Sequence, residues 1–404
     1  MPIPRGGELM DKNLALRLSE PIEEIYLEII DRLIINIAKH LGTGKAFRTA
    51  SWEVMKLEEL GQLTAENAKI INAAVKKVPN EIRTALDEAS RLSLESIESA
   101  IQKAIEEGQI EKAAADTVQE MLEELTQQAI EKANLVNTVM LESGRSAYTQ
   151  AVQNAANWMT QAMSVQQAKA AQETLNAAAT AVEIGSETRQ QALKKAISQM
   201  ADNGVYGFVD RAGRKWSPEA YINMDIRTTV HNAAIQSVKN RQQEYNSDIF
   251  QVSSHAGARP LCYPYQGKFF TWGSEGGTFT DGDGKRCSYK PISSTSYGQP
   301  AGLFGINCGH YPIPQIPGVT IPQDKQRQDK EANDKEYQES QRQRALERSI
   351  REVKLKQSAF KAAGLDDAAA DMGKTIADRQ AAMRDFIKET GRTRRYDREA
   401  IKGA

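Results

Sequence analysis

Apolar residues recur at helical spacing along much of the first two hundred residues. The first such segment runs from Ile22 to Ile37, where large apolar side chains repeat every three or four positions. This period places them on one face of an α-helix. Ser19 is suited to cap the N-terminus of that helix, with Pro21 in its first turn, and Gly42 is suited to end it. The chain is therefore predicted to open with a long amphipathic helix.

Glycines divide the next part of the chain into further predicted helices. No proline occurs between Pro79 and Pro218, and glycine favours helix C-termini because it adopts the left-handed conformation without a side-chain clash. The predicted helix over residues 145–184 is rich in Ala, Gln and Asn, which favours packing through small residues. The alternative is a helix that becomes ordered when it binds a coat or partner protein. The glycine spacing predicts helices over residues 81–107, 109–143, 145–184 and 186–203.

The pattern changes near residue 201, where glycines and aromatic residues become frequent. Ser217 is suited to cap one more helix, which begins at a proline. Residues 248–253 (DIFQVS) and 268–271 (KFFT) have the alternation and the β-branched or aromatic residues of strands. The remainder up to Gly318 is rich in glycine and proline and is predicted to form loops and short strands.

These patterns predict a mainly α-helical α+β protein with three consecutive parts. The helices of the first part are too polar to form one tight globule, which favours an extended bundle or a layer against another protein. We therefore expect the first part to bind other proteins. The parts are a helical N-terminal region over residues 1–200, a compact α+β module over residues 201–320 and a charged helical tail over residues 321–404.

Charge and hydropathy argue against a nucleic-acid-binding domain, a secreted protein and a membrane protein. The net charge is −1 over 404 residues, which by itself argues neither for nor against nucleic-acid binding. The charge distribution is acidic over residues 1–200 and mildly basic after them, and this small asymmetry is well short of what a nucleic-acid-binding domain shows. The N-terminus lacks the apolar segment of a signal peptide. Since no apolar run reaches the roughly 18 residues that span a bilayer, we expect a protein of the reducing cytoplasm with no membrane contact.

Cysteine and histidine residues are concentrated in the predicted module. His255, Cys262, Cys308 and His310 would supply the thiolate and imidazole ligands of a tetrahedral zinc ion, which would also hold a loop-rich segment together. No C-x-x-C pair is present, and the spacing of Cys308 and His310 is not a common zinc spacing. Free thiols packed in the core are therefore the competing interpretation. The potential ligands are His255, Cys262, Cys287, Cys308 and His310.

Two catalytic alternatives also involve His255. A cysteine paired with His255 or His310 would act as a nucleophile with its base, although the pattern indicates no oxyanion hole and no orienting carboxylate. A ribonuclease would use His255 with Arg259, Lys268 or His231 as acid, base and phosphate clamp. Neither pattern is specific, and the sequence favours a protein that is not an enzyme.

Two short motifs favour a polar network that ties loops together. In HAGARP, Arg259 carries a planar guanidinium whose five donors can bond several carbonyl groups. In YQGK, the amide of Gln266 can do the same. A contact with a partner or with DNA is the alternative. The residues of this predicted structural motif are His255, Arg259, Pro260, Gln266, Gly267, Lys268, Asn307, Cys308 and His310.

The order of these motifs resembles that of the phage minor capsid protein 2 family, which is related to the Mu F-like head morphogenesis proteins of tailed bacteriophages. The resemblance covers about residues 205–320. Gly309 departs from the basic residue of an N-C-R-H motif, which weakens a phosphate-binding role there. The matching residues are Tyr221, Arg227-Thr228-Thr229, the HxGARP run ending at Pro260, Cys262, Tyr265–Lys268, Ser296-Tyr297-Gly298, Gly302–His310 and Pro317-Gly318.

The resemblance implies a structural protein of the virion, present in few copies near the portal inside the head, that acts in head assembly or in genome packaging and delivery. It implies the portal protein, the major capsid protein or both as partners. Two alternatives remain: a nuclease or other toxin-like enzyme built on residues 205–320, and an ejection protein that binds packaged DNA through residues 321–404.

Overall fold

The computed structural model describes residues 11–43, 49–108, 110, 117–170, 177–203, 208–209, 215–323 and 327–403. These residues form many helices, one two-stranded antiparallel sheet and one five-stranded mixed sheet. The predicted fold class, mainly α-helical with a small α+β module, is therefore confirmed. The helices are α1 (Leu14–Gly42), α2 (Thr49–Glu58), α3 (Leu60–Val75), α4 (Val78–Glu106), α5 (Thr117–Ala170), α6 (Ala177–Asn203), α7 (Pro218–Glu244), α8 (Lys330–Ala362), α9 (Asp366–Thr390) and α10 (Tyr396–Glu399). The strands are β1 (Phe208–Val209), β2 (Lys215–Trp216), β3 (Ile249–Val252), β4 (Phe269–Thr271), β5 (Gly277–Thr280), β6 (Arg286–Pro291) and β7 (Pro312–Pro314).

The chain divides into two compact units, each built from three segments. Unit 1 comprises residues 1–23, 77–133 and 222–341, and unit 2 comprises residues 24–76, 134–221 and 342–404. Four of the boundaries lie inside the helices α1, α5, α7 and α8. The division into three consecutive parts at residues 200 and 320 stays a prediction.

The first helix ends where the sequence predicts but begins earlier. The hydroxyl of Ser19 donates to the carbonyl of Leu16 at 3.2 Å instead of capping a helix, and α1 continues through Pro21. The predicted start at Ser19 was therefore wrong. Gly42 ends α1 as predicted, and the reason includes a close contact, because a Cβ there would lie 2.3 Å from the carbonyl oxygen of Ala363.

Glycine marked some helix ends correctly and others wrongly. α4 ends near Gly108, which has a φ of 71°, but α5 continues through Gly144 and α6 continues through Gly185. A glycine inside a helix costs only about 1 kcal/mol relative to alanine, so packing can outweigh it. At Gly144 a Cβ would already approach the amide nitrogen of Asn67 to 3.3 Å. Residues 109, 111–116 and 171–176 of the predicted helices lie outside the described residues.

In unit 1 the five-stranded sheet has the order β5-β6-β4-β3-β7. The strands predicted at residues 248–253 and 268–271 are confirmed as β3 and β4. β3 is buried along its whole length and pairs antiparallel with both β4 and β7. Val252 lies opposite Pro312 in the β3–β7 pair. The residues that follow β3 therefore lie beside those that precede β7, and this register assembles the candidate site.

Two helices of unit 1 pack on this module. The α4 side chains Ile97 and Ile101 form an apolar cluster with Ile316 and Val319, which follow β7. α7 begins at Pro218, as the sequence predicts, and buries a row of apolar residues. Those residues are Ile222, Ile226, Val230, Ala233, Ala234 and Val238.

The tail is helical, as the sequence predicts, and forms α8 and α9, although these helices are less solvated than their composition indicates. Ile350 packs with Met383 and Phe386 in a buried cluster. α9 is followed by Gly391, whose φ of 69° caps the helix in the left-handed conformation. Among the described helices, none combines the length and the apolar content that a membrane span requires.

Candidate functional site

Two cysteines and one histidine of unit 1 meet where the chain leaves β3 and approaches β7. The Sγ atoms of Cys262 and Cys308 lie 3.8 Å apart, and Cys308 Sγ lies 3.4 Å from Nδ1 of His310. One ligand atom from each of the three residues lies within 4.8 Å of the other two. All three side chains are buried. We call these residues the Cys–Cys–His cluster.

The surroundings of the cluster differ between its two sulfurs. The Phe304 N–H donates to Cys308 Sγ at 3.3 Å. Hydrogen bonding from Cys262 and the neighbouring His310 hold the pKa of Cys308 below its ordinary value, although burial opposes this. The pKa of Cys262 is raised, because its proton bonds Cys308 and because burial disfavours its thiolate. In the absence of a ligand, Cys308 is therefore the better thiolate.

His255 adjoins the cluster without belonging to it. Its ring stacks on that of His310, with centroids 4.2 Å apart and planes tilted by 33°. Its Nδ1 lies 3.1 Å from the carbonyl of Ala256, and its backbone N–H donates to the amide oxygen of Gln266 at 2.7 Å. Burial, followed by the effect of His310, lowers the pKa of His255 to about 3. The ring is therefore neutral at physiological pH.

His231, which the ribonuclease alternative uses, lies on α7 beneath the same loops. Its Nε2 lies 2.9 Å from the carbonyl oxygen of His310, and its ring packs edge-on against Tyr311 with centroids 4.8 Å apart. Only 2% of its surface is exposed, and burial lowers its pKa. This position suits a role in packing α7 against the β7 segment.

Arg259 joins two loops through backbone carbonyls. Its Nη1 donates to the carbonyl of Ile306 at 2.8 Å, and its Nη2 donates to that of Gly302 at 3.2 Å. Nη2 also lies 3.9 Å from Cys262 Sγ. The guanidinium therefore ties the HAGARP turn to the loop that carries Cys308. Pro260 and Leu261 form a turn between this arginine and Cys262, in which the Cys262 N–H donates to the Arg259 carbonyl at 2.9 Å.

Asn333 on α8 completes this network, and sequence reasoning missed it. Its Oδ1 accepts the N–H of Ala258 at 2.7 Å, and its Nδ2 donates to the carbonyl of Ala258 at 2.8 Å. The side chain is fully buried. Nothing near Asn333 in the sequence marks it, because its partner lies 75 positions away and its neighbours are charged residues of a solvated helix.

The other predicted motif residues lie around the cluster. Gly267 adopts a φ of 73° and donates its N–H to Val252 at 2.8 Å. Lys268 lines a groove of about 500 Å³ together with Lys290. Asn307, with a φ of 55°, accepts a hydrogen bond from Arg227 at 3.4 Å. None of the residues Gly267, Lys268 and Asn307 belongs to the Cys–Cys–His cluster.

Two positions that stood out in the sequence are also placed. Cys287 is half-buried on β6, where its Sγ lies 3.9 Å from a carboxylate oxygen of Asp281, and it does not join the cluster. A Cβ at Gly309 would lie 3.0 Å from Cβ of Lys12 and 3.2 Å from Nε2 of His255. The space that a side chain at position 309 would need is therefore occupied by Lys12, whose Nζ donates to the Ala256 carbonyl at 3.0 Å.

The side chains of the Cys–Cys–His cluster are suited to packing and to binding a soft metal ion. The cluster found among the described residues contains two thiols and an imidazole and includes no carboxylate. The Arg259 guanidinium donates hydrogen bonds to two backbone carbonyl groups. Burial lowers the pKa values of His231 and His255, the two histidines of the ribonuclease alternative. This arrangement favours a structural role for the module.

Replacing Arg259 by lysine is expected to lower the free energy of unfolding by about 1.5–3 kcal/mol, because a single ammonium group cannot replace the guanidinium between two carbonyls. The measurement is urea denaturation followed by tryptophan fluorescence. Arg286→Lys is the matched control, since Arg286 is exposed and bonds the hydroxyl of Thr278; its effect is expected to stay within about 0.5 kcal/mol. Equal effects of the two substitutions would contradict the role assigned to Arg259.

Comparisons with known proteins agree with the family resemblance. The model of the family described as phage minor capsid protein 2 matches residues 9–179 and 146–388. A structural protein of Lactococcus phage LL-H is 30% identical over 236 residues, which cover 57% of this chain and 61% of that protein. A structural protein of Lactococcus phage mv4 is 37% identical over 114 residues, which cover 28% of this chain and 92% of that protein.

The chain thus spans less than two thirds of the length of the LL-H relative. No solved structure matches the chain significantly.

Proposed function

We propose, from the premise that this chain belongs to the phage minor capsid protein 2 family, that it is a structural head protein of a tailed phage. In this proposal it binds the portal protein, the major capsid protein or both, and it acts in head assembly or in genome packaging and delivery. The observation that carries the proposal is the family match, which extends over segments of both compact units. Its location would be the virion, inside the head at the portal vertex.

The geometry of unit 1 supports a structural role. Its loop-rich segment is held by buried side chains that bond backbone groups, as Arg259 and Asn333 do. A loop held at several points keeps one conformation, which suits a surface that must fit a fixed partner in an assembled particle. The names of the relatives, both structural proteins of phages, support the same conclusion.

The alternative of an ejection protein that binds DNA requires unpaired basic groups in the tail. Arg394 makes two hydrogen bonds to Glu399, at 2.7 and 2.6 Å, and Arg395 bonds Asp397. These guanidinium groups are already neutralised within unit 2. Binding of phosphates by these two arginines would first break their ion pairs, which gives the DNA-binding alternative less support at this end of the tail.

The alternative of a nuclease requires a general acid and a general base that reach a substrate. His231 is buried under the β7 segment, and Arg259 is held by carbonyl groups. Lys268 lines a groove, but the other groups of the proposed constellation do not line it with Lys268. The geometry therefore gives this alternative less support than the structural role.

The experiment is assembly of proheads from the cognate portal and capsid proteins, with and without this chain. We expect the full chain to sediment with proheads that contain the portal. Leu135 on α5 is an exposed apolar residue (58%) of the helical region, whereas Ile321 is similarly exposed (63%) outside it. If the helical region carries the contact, Leu135→Asp is expected to reduce retention at least about tenfold and Ile321→Asp to leave it unchanged. Proheads that assemble with portal but exclude the full chain would overturn the proposal.

A further inference from the structure

We propose that Cys262, Cys308 and His310 bind one Zn²⁺ ion, as a structural metal site that stabilises unit 1. The three residues are those of the Cys–Cys–His cluster. This site is independent of the proposed head function, since it concerns how the module is held together. It keeps three of the four ligands that the sequence predicts, and it leaves His255 outside the set.

Two of the three separations between ligand atoms match those of tetrahedral coordination, and each of the three ligand atoms lies within 4.8 Å of the other two. With Zn–S bonds of about 2.3 Å, two thiolate sulfurs on one zinc ion lie about 3.8 Å apart. The Sγ atoms of Cys262 and Cys308 are 3.8 Å apart. A thiolate sulfur and an imidazole nitrogen on the same ion lie about 3.5 Å apart, and Cys308 Sγ lies 3.4 Å from His310 Nδ1.

Charge balance also suits a buried zinc ion. Two thiolates neutralise the double charge of the ion, and a neutral imidazole adds none, so the complex carries no net charge into the interior. The cluster is well shielded from water, with exposures of 0% for Cys262, 6% for Cys308 and 1% for His310. Removing a neutral complex from water costs far less than removing an isolated ion.

Groups around the sulfurs would support the thiolates. The Phe304 N–H donates to Cys308 Sγ, and the Arg259 guanidinium lies 3.9 Å from Cys262 Sγ. Donors of this kind orient ligands and stabilise their charge in metal sites. The carbonyl of His310 accepts from His231 if Nε2 of that ring carries the proton, which would fix the backbone next to the histidine ligand.

The site would join segments that secondary structure leaves unconnected. Cys262 precedes the short 3₁₀ turn Tyr263–Tyr265, Cys308 follows a glycine-rich loop, and His310 leads into β7. The loop from Ser296 to Cys308 contains no regular element. Because a bound metal contributes its binding free energy to folding, loss of the ion would weaken this part of unit 1 most.

A buried dithiol or a disulfide is the competing state of the same cysteines. A disulfide requires an S–S distance of about 2.0 Å, so the 3.8 Å separation would have to shrink. A disulfide would also consume both thiolates and exclude the ion. Metal content and thiol titration together distinguish the three states.

The experiment is elemental analysis of the full chain, purified under reducing conditions without added metal or chelator. We expect about one zinc per chain. In cobalt-substituted protein we expect a thiolate-to-cobalt charge-transfer band in the near ultraviolet and strong visible bands of a tetrahedral ion. These measurements on the unaltered chain do not depend on whether a variant folds.

Variants then test the ligand set. Cys262→Ser and Cys308→Ser are each expected to reduce zinc content at least about tenfold, whereas Cys287→Ser, which alters the third cysteine outside the cluster, is expected to retain it. Absence of zinc with all thiols titratable would overturn the proposal, as would a disulfide between Cys262 and Cys308 in the freshly purified chain. Equal zinc loss in Cys287→Ser would overturn the assigned ligands. Prohead binding is measured separately, so failure of either proposal is recognisable by itself.

Discussion

Replacing Asp31 by alanine is expected to lower the free energy of unfolding by about 3–5 kcal/mol, among the largest effects of any single substitution in this protein. Asp31 lies on α1 with none of its side chain exposed. Its Oδ1 pairs with the Arg351 guanidinium at 2.5 Å, and its Oδ2 accepts the backbone N–H of Lys402 at 2.9 Å. One carboxylate thus joins α1, α8 and the C-terminal segment of unit 2.

The cost arises from the partners that the substitution leaves behind. Burial raises the pKa of Asp31, while Arg351 and the backbone N–H of Lys402 oppose the rise. This direction indicates that desolvation of the carboxylate outweighs its attractions, so the pair itself adds little net stability. Alanine would leave the largely buried Arg351 charge without its acceptor, and an uncompensated buried charge is strongly destabilising.

Three further variants separate this mechanism from general damage to α1. Glu28→Ala removes a partly exposed carboxylate on the same helix that pairs with Arg32, and it should cost no more than about 0.5 kcal/mol. Asp31→Asn should cost less than Asp31→Ala because its amide oxygen can still accept from Lys402. The double change Asp31→Leu with Arg351→Met should recover part of the loss. The unfolding midpoint in urea is the measurement, and a double variant as unstable as Asp31→Ala would refute the mechanism.

Replacing Gly302 by alanine is expected to cost about 3 kcal/mol or more, because the added methyl group meets backbone atoms. A Cβ at Gly302 would lie 1.9 Å from the carbonyl oxygen of Ser296 and 2.8 Å from its carbonyl carbon. The Ser296 hydroxyl meanwhile bonds the carbonyl of Leu261 and the N–H of Leu303. The loop therefore cannot move aside without breaking these hydrogen bonds and the hydrogen bond from Arg259 to the Gly302 carbonyl.

A matched glycine provides a control with the opposite sign. A Cβ at Gly61 on α3 would meet nothing within 4 Å, so Gly61→Ala should raise the stability by up to about 1 kcal/mol through helix propensity. Thermal unfolding followed by circular dichroism compares the two variants directly. Similar shifts for both would mean that the contact with Ser296 does not limit position 302.

The sequence predicted elements wherever the pattern is local. The apolar period of α1, the proline start of α7 and the strand-forming residues of β3 and β4 are each contained in a few consecutive residues, and the helices and strands predicted from them were confirmed. The alternation itself was not, because β3 is buried along its whole length. The errors arose where a distant contact outweighed a local preference. α5 continues through Gly144 instead of ending there. Asn67 approaches this position so closely that a Cβ would lie 3.3 Å from its amide nitrogen.

The candidate site was predictable in part of its membership but not in its arrangement, since His255 lies outside the cluster and Asn333 was missed. The concentration of cysteine and histidine in one module indicated the residues. Which cysteines meet depends on the antiparallel register that places Val252 opposite Pro312 and on the loop that returns Cys308 to Cys262. Cys287 carries the same chemistry and lies elsewhere, and nothing in the local sequence separates it from the other two.

By itself the sequence determined the fold class, most helices and both confirmed strands, because periodicity and capping act over neighbouring residues. It also indicated the family, which the family match confirms. Only the tertiary structure decided that Asn333 holds Ala258, that Asp31 holds Arg351 and the C-terminal segment, and that two of three thiols meet. These contacts join residues far apart in the chain, so their energies depend on packing that no local pattern encodes.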